Sequence, residues 1–173
     1  CVNKKGSNEI SKAIRGQFLL NCSRYDWIAV GFYFYAMRDL TRIILHCTAT
    51  IAGQELNVSQ IDNIHRRRGW SEIGYHYVIY ANGEIATGRD IRKKGAHVKG
   101  HNFDSVGIAY VGGLNKDLVP TDTMTMEQDV SFLHLVNSLR VVFGDLSVHG
   151  HNEFSSKACP SFRVQDKYEF LNK

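Results

Sequence analysis

Apolar and polar positions fall into runs of two kinds, and from Arg42 onward the two kinds alternate. Arg42-Ile43-Ile44-Leu45-His46-Cys47-Thr48 is apolar almost without a break, as a strand buried in a sheet must be. Its period of two sends His46 and Cys47 to opposite faces, so only one of them can face a common site, and Cys47 reads as a small buried hydrophobe. Val58, Ile61, Ile64 and Arg68 recur at helical spacing up to Gly69, and Ser59-Gln60-Ile61-Asp62 resembles a capping box. Tyr75-His76-Tyr77-Val78-Ile79-Tyr80 is the next strand, turned by Asn82-Gly83 into a hairpin partner over Ile85 to Thr87. Ser105 to Val111 reads as another buried strand, ending at Gly112-Gly113.

Thr125-Met126-Glu127-Gln128 opens a long helix whose inner face is marked by Met126, Val130, Leu133, Val136 and Arg140, with Gly144 as its stop. Leu146 to His149 is a short strand, and Val164, Tyr168 and Leu171 mark a last amphipathic helix. Strands interspersed with helices predict an α/β fold, a central mixed β-sheet flanked by helices.

The first 36 residues have a different texture, a polar start followed by the aromatic run Phe32-Tyr33-Phe34-Tyr35. The expected organisation is an N-terminal extension, residues 1–36, packing on one domain over residues 37–173. A chain of 173 residues, 43% hydrophobic and 22% charged, is large enough for one ordinary core and is not of disordered composition. Its net charge of +4 favours acidic polymers in a general way. The densest basic run, Arg66-Arg67-Arg68, is the solvated face of a helix, and without an RNA-binding or helix-turn-helix signature no nucleic-acid partner is expected.

Cys1, Cys22, Cys47 and Cys159 allow two disulfides, but a domain of this size needs none. The apolar stretch from Trp27 to Met37 is about eleven residues and holds Gly31, too short to span a bilayer. No signal-peptide core is visible, so the chain is expected to be soluble, without stable membrane insertion. It would be cytoplasmic until released, or have lost a leader before Cys1.

The candidate chemistry lies near the end of the chain. Between His151 and Phe162 an imidazole, the ammonium of Lys157 and the thiol of Cys159 share one short stretch, and His46 ends a strand far upstream. Two histidines and a cysteine suit Zn²⁺ and leave a fourth tetrahedral position open for water, which separates a catalytic zinc site from a structural one. Pro160 holds the preceding Cys159 backbone in the extended region. His149 and His151 share a face if the segment is extended, so local geometry does not choose between them. Lys157 beside a metal is placed to meet a developing oxyanion, and the Tyr75 hydroxyl can donate to it or move a proton.

The strings Leu45-His46-Cys47-Thr48-Ala49-Thr50, Gly69-Trp70, Gly74-Tyr75-His76-Tyr77 and Gly88-Arg89-Asp90 are followed by Gly95-Ala96-His97-Val98-Lys99-Gly100-His101-Asn102. Ser105-Val106-Gly107-Ile108, Gly112-Gly113 and Lys157-Ala158-Cys159-Pro160-Ser161-Phe162 complete the series. In this order and spacing the chain, from about residue 42 to 165, resembles the zinc-dependent N-acetylmuramoyl-L-alanine amidases of the phage T7 lysozyme type, relatives of the peptidoglycan recognition proteins. The resemblance implies that fold, one zinc ion held by His46, His151 and Cys159, and catalytic roles for Tyr75 and Lys157. It implies a bacteriolytic hydrolase, acting as a monomer on the cell wall, that uses zinc-activated water to cut the amide between N-acetylmuramic acid and the L-alanine of the peptidoglycan stem peptide. His97, in a loop that borders the substrate groove in the family, is expected to touch substrate. Phage relatives tend to carry His-His where this chain has His151-Asn152. His76 is expected to be structural, and Arg89 and Asp90 to pair behind the site. The alternative from another functional class is a non-catalytic peptidoglycan-binding module, as found among relatives that lack the cysteine ligand.

Overall fold

The computed structural model describes residues 38–172, so the expected extension over residues 1–36 lies outside the described residues. Among the described residues seven strands run in chain order: β1 Arg42–Cys47, β2 Thr50–Ile51, β3 Tyr77–Ile79, β4 Ile85–Thr87, β5 Ser105–Tyr110, β6 Gly113–Leu114 and β7 Ser147–Gly150. The helices described are α1 Val58–Arg67, α2 Met126–Phe143 and α3 Val164–Lys167, with 3₁₀ turns at His151–Glu153 and Glu169–Asn172. Five strands form one sheet in the order β4-β3-β5-β1-β7, and β2 and β6 form a small parallel pair. The sheet is mixed because only β3 and β4, joined by the Asn82-Gly83 turn, run antiparallel; β3, β5, β1 and β7 are parallel.

The period of two along the central strands sorts the two faces. Ile43, Leu45, Val106, Ile108, Tyr110 and Val148 join Phe132, Leu135, Val136 and Leu139 of α2 in the main core. On the other face Val78 and Val111 pack with Ile61 of α1 and with Ile73 in a smaller cluster. The sheet is therefore covered by a helix on each side, as the alternation of elements predicts.

Three local expectations shift. Helix α1 is capped by Asn57, whose side chain accepts the Gln60 N–H at 3.0 Å while Gln60 Oε1 accepts the Asn57 N–H at 2.9 Å. Ser59 is not the cap because Asp62, its partner in the proposed box, instead pairs with Arg66 and accepts the Ile73 N–H. Strand β3 begins at Tyr77 rather than Tyr75, since the chain before it wraps toward α1 and Gly74 N–H donates to His65 Nδ1. Helix α2 begins at the Thr125 capping box as expected, but its buried face is Gln128, Phe132, Leu135, Val136 and Leu139. Met126 and Val130 are 79% and 62% exposed. Gln128 masks this face in the sequence: its Nε2 donates to Ile79 O and Val111 O, so a polar residue sits inside to satisfy two sheet carbonyls.

Two buried histidines tie the connecting chain to this frame. His65 Nδ1 accepts the Gly74 N–H at 3.0 Å, and His76 Nδ1 accepts the Gly107 N–H at 2.9 Å with Nε2 against Lys93 O. An acceptor nitrogen cannot carry a proton, and burial holds both rings down at about 4. Both folded pKa values lie below the ordinary 6.5, so the unfolded chain takes up protons first. The stability from these rings is full above about pH 6.5 and is lost as pH falls toward 4, by up to about 3 kcal/mol per ring. Urea unfolding midpoints are expected to fall between pH 7 and pH 4.5, more than in a His76→Gln variant; equal shifts in the two proteins would contradict this.

Candidate metal centre

β1 delivers His46 to the face where β5 presents only small residues. Arg42, Ile44 and His46 are in register with Ser105, Gly107 and Ala109, and this alternation of small with large side chains along β5 leaves space above the sheet for imidazole rings. His46 fills part of it and is 1% exposed. Cys47, on the opposite face as the strand period requires, is buried in the main core.

β7 supplies the second imidazole. The strand ends at Gly150, and the chain turns at once into the 3₁₀ turn that starts with His151. That turn ends the alternation, so His149 and His151 no longer share a face. The His151 ring lies 4.6 Å from the His46 ring between centroids. His149 is occupied elsewhere, with Nδ1 at 2.8 Å from Glu153 Oε2 and Nε2 at 3.0 Å from Ser147 Oγ. Asn152 donates to Phe162 O and ties the turn to the loop that carries the sulfur.

That loop brings in Cys159. Tyr110, on β5, donates its hydroxyl to Pro160 O at 2.7 Å from within the core, and the Cys47 N–H donates to Cys159 Sγ at 3.2 Å. The loop is thus held to the ends of β5 and β1. Cys159 Sγ lies 3.7 Å from His46 Nδ1, and the ligand atoms of His46, His151 and Cys159 all fall within 4.8 Å of one another. Tetrahedral zinc with Zn–S of about 2.3 Å and Zn–N of about 2.0 Å sets a sulfur-to-nitrogen edge of about 3.5 Å. The 3.7 Å pair is close to that edge, and the donor set suits the ion with one position left over.

The protonation states suit ligation. Burial first, then the neighbouring His97 and His151 rings and Lys157, hold the His46 imidazole well below its usual range; burial and then Lys157 lower that of His151. Both rings are neutral and carry a lone pair at neutral pH. The side-chain interaction with the Cys47 thiol, and burial after it, push the Cys159 thiol up against the opposing pull of the Cys47 N–H, so a bound cation must displace its proton. Burial, followed by the Cys159 and Cys47 sulfurs, pushes the Tyr75 hydroxyl up, keeping it a proton donor; its ring lies 5.1 Å from that of His46. Lys157 is exposed, and its positive charge is felt at both His46 and His151.

Two expectations take a different form. His97 is 8% exposed, with Nδ1 3.0 Å from His46 Nε2 and Nε2 3.3 Å from Ser105 Oγ. Both ring nitrogens are engaged inside the protein, which leaves none to offer a substrate. The Ser105-x-Gly107-x-Ala109 alternation is the signal in the sequence that a ring lies over this strand. Arg89 and Asp90 do not pair with each other. Arg89 donates to Ile73 O, Lys94 O and Glu72 O, whereas Asp90 pairs with Arg92. Adjacent in sequence, the two diverge because Arg89 turns inward to three loop carbonyls while Asp90 stays with Arg92.

Residues 36–162 match the family model described as N-acetylmuramoyl-L-alanine amidase. The endolysin of Escherichia phage T7 is 34% identical over 127 residues, covering 73% of this chain and 84% of that protein. Among solved structures, the N-acetylmuramoyl-L-alanine amidase LysC from Clostridium intestinale URNW superposes with a TM-score of 0.66 at 29% identity, over 80% of this chain and 89% of that one. Drosophila peptidoglycan recognition protein SD matches in fold alone, with a TM-score of 0.65 at 22% identity over 76% and 82% of the two chains.

Proposed function

Since the chain belongs to the N-acetylmuramoyl-L-alanine amidase family, we propose that its peptidoglycan hydrolysis takes place at the group formed by His46, His151 and Cys159, with one Zn²⁺ held there. The bond cut is the amide between the lactyl group of N-acetylmuramic acid and the L-alanine of the stem peptide. The observation that carries the reading is the convergence of two neutral imidazoles and one sulfur from three separate segments. When bound, the metal polarises the amide carbonyl and lowers the pKa of water toward neutrality.

The chain's own residues supply the rest. Lys157 brings an ammonium to the oxyanion that develops on the former carbonyl oxygen, where a fixed positive charge acts most strongly once water is excluded. Tyr75, held protonated by its surroundings, donates a hydrogen bond to the same oxygen or a proton to the departing amine. The sequence has no His-Glu-x-x-His helix, so a carboxylate base of that type plays no part. No helix among the described residues is long and apolar enough to cross a membrane, and the reading has the chain act on the wall as a monomer.

Incubation of the protein with purified muropeptides, followed by mass spectrometry, tests this. Free stem peptides with an unblocked L-alanine amine are expected, lost on chelation and restored by Zn²⁺. A zinc-loaded protein that sediments with peptidoglycan but leaves muropeptides intact would instead be the binding module.

A further inference from the structure

We propose that His97 is a positioning residue for the metal centre, part of a one-way hydrogen-bond relay from the His101 carbonyl through Ser105 and His97 that leaves His46 Nδ1 bare and aimed at the metal. The inference rests on His46 being a ligand.

The direction of the relay follows from its fixed end. A backbone carbonyl only accepts, so the Ser105 hydroxyl spends its single proton on His101 O. Ser105 Oγ can then only accept from His97, at 3.3 Å, which places the His97 proton on Nε2. His97 Nδ1 is left as an acceptor and receives the Nε2–H of His46 at 3.0 Å. A neutral His46 with its proton on Nε2 presents an unprotonated Nδ1, the nitrogen that lies 3.7 Å from Cys159 Sγ. Metal-binding histidines need an outer partner of this kind to set tautomer and ring angle.

The pocket for His97 is built to size. A Cβ added at Gly107 would lie 2.5 Å from His97 Cδ2, and one at Gly95 would lie 2.5 Å from the same atom. Glycines from the central strand and from the loop thus clamp the ring from two sides. Asn102 Oδ1 accepts the backbone N–H groups of His97 and Val98 at 2.7 and 2.9 Å, which holds the loop that carries it.

The test compares His97→Leu, which keeps bulk without an acceptor, with His97→Asn, whose side-chain oxygen can stand where Nδ1 stood. Zinc affinity is read by competition with a chromophoric chelator, and the His46 tautomer by ¹⁵N shifts of the zinc-free protein. His97→Leu is expected to weaken zinc binding about 10- to 100-fold and to mix the His46 tautomers, while His97→Asn recovers most of the affinity. Ser105→Ala, which leaves the ring in place, is expected to move both readouts the same way by less. Equal affinity in wild type and His97→Leu, or equal losses in Leu and Asn, would overturn the relay. Should His97→Leu not fold, an unchanged affinity and tautomer in Ser105→Ala would overturn it instead. A wild-type protein that takes up no zinc would overturn the metal centre, and the relay with it.

Discussion

A Cys159→Ser protein is expected to lose bound zinc and wall-lytic activity together. Cys159 is the one sulfur in the group, and its thiolate would supply the negative charge that offsets a Zn²⁺ held with two neutral rings. A serine hydroxyl is shorter and far harder to ionise, so it offers a weak neutral donor out of reach of the same point. The loop should keep its place, because the Tyr110 bond to Pro160 O and the Asn152 bond to Phe162 O do not involve the sulfur. The fold is therefore retained while the site is lost. Zinc content after dialysis and clearing of a cell-wall suspension are the two measurements. Stoichiometric zinc, or lysis at the wild-type rate, would remove Cys159 from the centre.

Lys157→Ala is expected to separate what Cys159→Ser removes together. Lys157 is not among the three ligands, so zinc content should be unchanged. Its charge is felt at His46 and His151, so on the proposed mechanism the ammonium acts where the substrate oxygen becomes negative. Loss of one oxyanion-stabilising group costs about 10² to 10³ in kcat, about 3 to 4 kcal/mol. KM for a muropeptide should change little, since the interaction strengthens only as charge develops. A zinc-replete Lys157→Ala enzyme with wild-type kcat would exclude the residue from the mechanism.

The parts of the fold legible in the sequence are those where one local rule operates without competition. β1, the Asn82-Gly83 hairpin and the Thr125 start of α2 follow from period-two alternation, from turn chemistry and from a capping box. The face of α2 was not legible, because Gln128 is buried for the sake of Ile79 O and Val111 O, and a count of apolar residues assigns a glutamine to solvent. The α1 cap is not legible locally because Asn57 to Gln60 and Ser59 to Asp62 are overlapping boxes, and the long-range bond from Ile73 N–H engages Asp62. The resemblance of its loop points His97 to the groove, whereas the slot that takes the ring is opened by Gly107 on a strand ten residues further on.

By itself the sequence determined the donor types, the opposite facing of His46 and Cys47, and the closeness of Lys157 to Cys159, all consequences of chain geometry over a few residues. Local chain geometry leaves His149 and His151 equivalent; the resemblance points to His151, and the tertiary structure is what brings that ring to His46 and sets the partners from which the free nitrogen of His46 is inferred. The physical reason is the same in both cases. Two histidines two residues apart, like the two nitrogens of one ring, are locally equivalent, and the balance is broken only by partners distant in the chain: the turn after Gly150, Glu153 with Ser147 around His149, and His97 with Ser105 behind His46.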